Sequence, residues 1–283
     1  MNASIIASQA AKAAAFKLLH EHPGIFVIPN PWDAGSARML AHLGFKALAT
    51  TSAGLAFSLG KPDGTGAVTR EEALVNAQQI IAATELPVSA DLENGYGDDP
   101  EICAETILLA AKAGLSGGSI EDATGREDDP IYPFELSVER IKAAVKAARS
   151  LPIPFMLTAR AENLLHGRED LKDTIRRLEA YAEAGADVLF APGLQTKEDI
   201  ASVVKAIAPR PLNLLIGQGQ AGFSLEELAD LGVKRISLGA SLARAAYGSF
   251  LRGAEEIHQK GTFTFASESV PYAVFNDMFK QMQ

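Results

Sequence analysis

The chain has a single cysteine, Cys103, in 283 residues, which excludes an internal disulfide and fits a reducing compartment. It has no apolar run of the roughly twenty residues that span a bilayer. Its first residues, MNASIIASQAAKAAAFKLLHEHPG, lack the charged start and apolar stretch of a signal peptide. They read instead as an amphipathic helix ending near Gly24. A cytoplasmic location with no membrane partner is the resulting expectation. Positive charge is in deficit: 26 lysines and arginines face 35 acids, for a net charge of -9. That balance argues against nucleic acid as a partner. A local arginine or a metal can still reverse the field for a small anion. No G-x-G-x-x-G follows the first strand-like run, which argues against an open dinucleotide-binding sheet.

What is present is a repeated grammar of helix, helix breaker and short apolar strand. Proline stands at the joint in HPGIFVIPN from His22, LPVSAD from Leu86, LPIPFMLTAR from Leu151 and RPLNLLIGQG from Arg210. Glycine stands there in LGFKALATTS from Leu43, AGLSGGSIED from Ala113, AGADVLFAPG from Ala184 and LGVKRISLGA from Leu231. Proline cannot continue a helix, and glycine suits the left-handed residue that ends one. The two kinds alternate and give eight strands, preceded by alanine-rich helical segments such as 71–84, 100–113, 138–149, 171–184, 197–207 and 225–231. Eight such units in this length predict one (β/α)₈ barrel domain over 1–283. The tail 262–283 reads as a C-terminal helical extension, with Val270, Tyr272, Phe275, Met278 and Phe279 forming an apolar face that docks on the barrel or on another subunit.

Chemistry in such a barrel sits at the C-terminal strand ends. Those ends supply Asn30 and Asp33, the run Thr51-Ser52-Ala53, Asp91 and Glu93, Glu121 and Asp122, then Arg160, Glu162 and Asn163. Ala191, Asn213, the run GQGQAG and Ser237 complete the set. Asp91 and Glu93 stand two apart, so an extended chain points both the same way. Acids from neighbouring strands repel unless a cation lies between them, and such a cluster suits a hard ion. Arg160 suits either a bidentate grip on a substrate carboxylate or an ion pair with Glu162 or Glu121.

The motifs PNPWDAGSARMLAHLGFKALATTSAGLAFSLGKPDG, ADLENGYGDD, SIEDATG, TARAEN and RRLEAYAEAGADVLFAPG, in that order, make the chain resemble the isocitrate lyase/phosphoenolpyruvate mutase superfamily. The resemblance implies a (β/α)₈ barrel with its last helix exchanged between paired subunits, as a dimer of helix-swapped dimers. It implies Mg²⁺, or Mn²⁺ in its place, and a small 2-oxo acid as substrate. By position, Asp91 matches the direct metal ligand, and Glu93 and Glu121 match acids that hold the metal through water. Arg160 matches the carboxylate-binding residue, Thr51, Ser52 and Ala53 the stretch that receives the 2-oxo carboxylate, and Asp63 an aspartate near the gate. Asn213 is carried as a substrate-side residue of strand 7.

The departures bear on the reaction. The loop after strand 4, EDATGREDDPIYPFEL, lacks the K-K-C-G-H run whose cysteine is the lyases' general acid, and Cys103 lies elsewhere, on an apolar helix face. Strand 6 carries Ala191 where the mutase has a histidine. Of the five histidines only His166 lies near enough to reach the site, and a plain surface position is the favoured reading for it. The expectation is a Mg²⁺-dependent lyase or decarboxylase cleaving a C–C bond of a small 2-oxo or 2-hydroxy dicarboxylate through a metal-stabilised enolate, with Tyr96 or a metal-held water returning the proton. The alternatives are a C–P bond enzyme, like phosphonopyruvate hydrolase or the phosphonomutase, and a 2-oxo acid binding protein without turnover. Arg126, the one cation of the loop 123–136, is expected either to close on a second carboxylate or to pair with Glu127 or Asp128.

Overall fold

The computed structural model describes residues 3–217 and 222–280, so residues 218–221, the middle of the run GQGQAG, lie outside the described residues. Eight parallel strands follow one another round a ring: β1 Phe26–Ile28, β2 Leu48–Ala49, β3 Val88–Asp91, β4 Gly117–Glu121, β5 Met156–Arg160, β6 Val188–Phe190, β7 Leu212–Leu215 and β8 Arg235–Ser237. Their hydrogen-bonded order is β1-β8-β7-β6-β5-β4-β3-β2. β1 and β2 share no ladder, but the Ala49 N–H donates to Pro29 O at 3.1 Å. Asn30 completes the closure: its amide donates to Thr50 O at 3.0 Å and accepts from the Leu238 and Gly239 N–H groups at 2.8 and 3.0 Å. One side chain thus joins the ends of β8, β1 and β2. The expected (β/α)₈ barrel is what forms.

The helices among the described residues are α1 Ala3–Glu21, α2 Ala34–His42, α3 Ser52–Ser58, α4 Arg70–Ala82, α5 Pro100–Ala113, α6 Phe134–Arg149, α7 Leu171–Glu183, α8 Lys197–Ile207, α9 Leu225–Asp230, α10 Ser241–Lys260 and α11 Tyr272–Lys280. Asp33, read as a strand-end acid, caps α2 in a reciprocal box with Ser36. α3 was not visible as a periodic segment because it is only seven residues long; Thr51 Oγ1 caps it by accepting from the Gly54 N–H at 3.2 Å. α6 starts at Phe134, inside the stretch read as loop, because Pro133 supplies the extended residue that precedes a helix. Val270 lies before α11, so the tail's apolar face is shorter than its sequence spacing suggests. No helix among the described residues is long and apolar enough to cross a membrane.

α1 seals the N-terminal end of the barrel. Phe16 is fully buried in a cluster with Ile28, Ala47, Met156 and Val188. It comes so close to β4 that a side chain at Gly117 would meet its ring at 3.0 Å and Met156 O at 2.6 Å, which accounts for the glycine. Above this plug the interior departs from the usual filling of branched apolar side chains. Ser89, Ser119, Thr158, Asn213, Ser237 and Arg235 line a cavity of about 170 Å³ that also reaches Asp91 and Arg160.

Candidate active site

Arg160 is the centre of the mouth. Its guanidinium donates from Nη1 to Asp91 Oδ1 at 3.0 Å and from Nε to Glu162 Oε1 at 2.7 Å, and Nη2 lies 3.2 Å from Glu121 Oε2. Its flat face lies 4.9 Å from the Phe190 ring centre. Strands β3, β4, β5 and β6 therefore each contribute to holding one cation. Of the two sequence readings of Arg160, the ion pair with Glu162 and Glu121 is the one seen here.

Asp91 is fixed from every side. Its other oxygen accepts from the Ser52 hydroxyl at 3.1 Å and the Ser52 N–H at 3.4 Å. Its own N–H donates to Thr50 Oγ1 at 3.0 Å, and the Glu93 N–H donates to Oδ1 at 3.2 Å. Thr51, Ser52, Ala53 and Asp63 line the same cavity. Burial and the neighbouring Asp91 raise the Asp63 carboxyl above its ordinary range.

After Asp91 the chain turns sharply. Glu93 and Tyr96 both take left-handed backbone, with φ of 46° and 64°. Between them Gly95 leaves no room for a side chain, since a Cβ would lie 2.9 Å from Cys103 Sγ. Cys103 is thus core beneath this turn, buried on α5. Arg140, also buried, clamps the turn from below by donating to the carbonyls of Asn94, Gly97 and Asp98. Burial, with Asp91 and Asp63 beside it, pushes Glu93 up to about 7. Burial likewise holds Glu121 well above the carboxylate range against the pull of Arg160. The Tyr96 phenol is raised by burial and by Glu93, so it keeps its proton.

Asp122, grouped with the mouth acids in the sequence, faces the other way. Successive residues alternate across a strand, so Glu121 enters the barrel and Asp122 meets the helices. There it accepts from Arg177 at 3.0 Å and Tyr181 at 2.7 Å, and from the Glu162 N–H at 2.8 Å. Arg177 and Tyr181, four apart on α7, were missed; their spacing in RRLEAYAEAG was the available signal. Asn213 is buried with its amide oxygen accepting from Arg235 at 2.8 Å and its nitrogen donating to Ser237 at 2.9 Å.

Above the mouth an outer chamber of about 610 Å³ is lined by Thr65, Glu93, Tyr96, Glu121, Thr124 and His166, among others. The loop after β4 is closed by a bridge between Ala123 and Ile131. Arg126 takes neither of its expected positions. It turns outward to Asp98, at 3.0 and 3.2 Å, with Asp129 at 3.7 Å. Glu127 and Asp128 are its neighbours in sequence but are not its partners.

Among the described residues no three His, Cys, Asp or Glu side chains converge tightly enough to hold an ion alone. A hard cation that keeps several waters needs only one or two carboxylates. Asp91, Glu93 and Glu121 offer such an all-oxygen set, and burial together with the negative charge around it drives Glu93 toward protonation. The donor chemistry fits Mg²⁺ or Mn²⁺.

Residues 16–258 match the family model of phosphoenolpyruvate phosphomutase. The chain is 59% identical to a provisionally assigned lyase/mutase from Burkholderia cenocepacia J2315, with a TM-score of 0.92 and 96% of each chain covered. It is 34% identical over 239 residues to 2-methylisocitrate lyase of Shewanella oneidensis, covering 81% of this chain and 79% of that one. Oxaloacetate acetylhydrolase in complex with oxalate superposes with a TM-score of 0.84 at 27% identity, over 97% of this chain and 93% of the other. The chain belongs to the phosphoenolpyruvate phosphomutase family, within the isocitrate lyase/PEP mutase superfamily of enzymes.

Proposed function

We propose that the chain is a Mg²⁺-dependent carbon–carbon lyase or decarboxylase acting on a small 2-oxo or 2-hydroxy dicarboxylate. The observation that carries this reading is the Arg160 guanidinium, buried between Asp91, Glu121 and Glu162 at the strand ends. Three carboxylates fix its plane, so an entering carboxylate meets a cation that needs no reorganisation. Ser52, whose N–H and hydroxyl donate to Asp91 beside Arg160, is the residue proposed to orient the 2-oxo end. Asp91, Glu93 and Glu121 would hold the ion, which when bound supplies Lewis-acid stabilisation of the developing negative charge. Tyr96 stays a phenol and offers a hydrogen-bond donor. Tyr96, or a water held by the ion, is the group suited to return the proton. Relatives named for cleaving 2-methylisocitrate and oxaloacetate support C–C chemistry.

The test is calorimetric. Oxalate, a planar two-carbon dianion, is expected to bind the wild type in the presence of Mg²⁺, and Arg160→Lys is expected to weaken that binding about tenfold or more, as loss of a bidentate pair implies. Equal affinities would remove Arg160 from the binding role. We also infer a homo-oligomer built by exchange of the C-terminal helices, because Phe250, Tyr272 and Val274 leave an apolar face exposed on α10 and α11, and a cytoplasmic location, which the single cysteine supports. Sedimentation of a monomer at micromolar concentration would contradict the oligomer.

A further inference from the structure

Arg235 opens β8 at the floor of the barrel and is 5% exposed. A charged side chain so placed ordinarily has a counter-ion, since an isolated buried charge is costly. Among the described residues Arg235 has only neutral partners. Its Nε donates to Asn213 Oδ1 at 2.8 Å, Nη2 donates to Thr158 Oγ1 at 2.9 Å, and Nη1 meets His20 Nε2 at 3.2 Å. His20 Nδ1 lies 2.8 Å from Phe16 O. That carbonyl can only accept, so Nδ1 carries the proton and Nε2 is the lone pair that receives Arg235. Three of the five N–H groups of an arginine are then used. Desolvation and the charge of Arg235 hold His20 down at about 3, so the ring is neutral and adds no balancing charge of its own.

The cation faces the same cavity as the mouth cluster. Glu121, Arg160, Phe190, Asn213 and Arg235 occupy one continuous register across β4 to β8. Arg160 ends its strand and Arg235 begins its own, so this row descends from mouth to floor. Thr158, which holds the Arg235 fork, precedes Arg160 by two residues on β5, about 7 Å lower along the strand. The wall between carries the hydroxyls of Ser89, Ser119 and Ser237, so the well is polar along its depth. A four- or five-carbon acid anchored by one end at Arg160 and Ser52 covers this depth at ordinary bond lengths. Arg126, the cation expected to take a second carboxylate, is committed to Asp98 outside.

We propose that the well beneath the mouth receives the second carboxylate of a short dicarboxylate, with Arg235 as its counter-ion. The substrate stands upright in the barrel, its 2-oxo end among Ser52, Asp91 and Arg160 and its far carboxylate at the floor. This rests on the reading of the mouth as the seat of a 2-oxo carboxylate. Because the fold itself already buries Arg235, an arriving carboxylate gains its attraction without a further cost for burying the cation.

The experiment compares 2-oxoglutarate with 2-oxopentanoate, which replaces the far carboxylate by a methyl group, using pyruvate as the head-group control. Binding is measured calorimetrically with Mg²⁺ for the wild type, Arg235→Gln and Arg235→Lys, each checked for folding by circular dichroism. The wild type is expected to prefer 2-oxoglutarate at least tenfold. Arg235→Gln is expected to abolish the preference and Arg235→Lys to keep part of it. A wild type with no preference overturns the proposal even if neither variant folds. So does a folded Arg235→Gln protein whose preference is intact. Binding of pyruvate without that preference spares the reading of the mouth, whereas failure of all three acids to bind removes both.

Discussion

Arg160 Nη1 stands 3.0 Å from Asp91 Oδ1, while Ser52 holds the opposite oxygen of that carboxylate. The acid proposed to hold the metal therefore also aligns the cation proposed to bind substrate. Asp91→Ala is expected to abolish Mg²⁺ binding and to lower kcat by about 10²–10³ or more, as loss of a preorganised charge does. The fold is expected to persist, because the site lies at the strand ends. Unchanged Mg²⁺ affinity by calorimetry would defeat the assignment.

Cys103 Sγ lies 3.7 Å from Asn94 O, under the turn that carries Glu93. Cys103→Ser keeps a donor to that carbonyl but sets a hydroxyl among apolar neighbours. A stability loss of about 1–2 kcal/mol is expected by denaturant titration, with kcat within about threefold of the wild type. A fall of several orders of magnitude in kcat with the fold intact would make the thiol chemical after all.

Arg126 is an exposed side chain paired with Asp98, and exposed pairs contribute little. Arg126→Ala is expected to leave kcat/KM within about twofold, equally for monocarboxylates and dicarboxylates. A selective loss with dicarboxylates would show that the loop turns this cation inward during turnover.

His20 gives a pH prediction with a definite sign. Its folded value, about 3, lies below its ordinary 6.5 because burial disfavours the charged ring. The unfolded chain therefore binds more protons between those values, and the contribution to stability is complete above 6.5 and lost as pH falls toward 3. The slope is about 1.4 kcal/mol per pH unit at most. Raised carboxyls such as Glu93 titrate with the opposite sign, so the quantity to measure is the difference between wild type and His20→Gln in denaturation midpoints from pH 7 to pH 4. The variant is expected to lose less stability on acidification. Parallel curves would mean that His20 is not held neutral in the folded protein.

The eight-fold repeat was legible because proline and glycine punctuate every strand entry. Asp91 and Glu93 were legible as two carboxylates at one strand end, but not as one extended segment: β3 stops at Asp91 and Glu93 takes left-handed backbone in the turn that follows. Asp122 was misplaced for want of the alternation rule, applied one residue after Glu121. Arg235 and His20 were illegible: an arginine at the start of a short strand gives no sign of entering the barrel, and its histidine partner lies 215 positions away. Arg126 was misread because Asp98 is 28 residues distant and only the folded loops bring the two together.

The most direct measurement is a ¹H and ³¹P NMR time course of the wild type with Mg²⁺ and a panel of 2-oxo and 2-hydroxy dicarboxylates, with phosphonopyruvate included. Cleavage of a dicarboxylate carbon skeleton, dependent on Mg²⁺ and lost in Asp91→Ala, is the expected result. Release of phosphate or a rearranged phosphate ester from phosphonopyruvate, with every dicarboxylate intact, would assign C–P chemistry to the Arg160 site. Binding of these acids without turnover of any would make the protein a receptor for them and contradict a lyase.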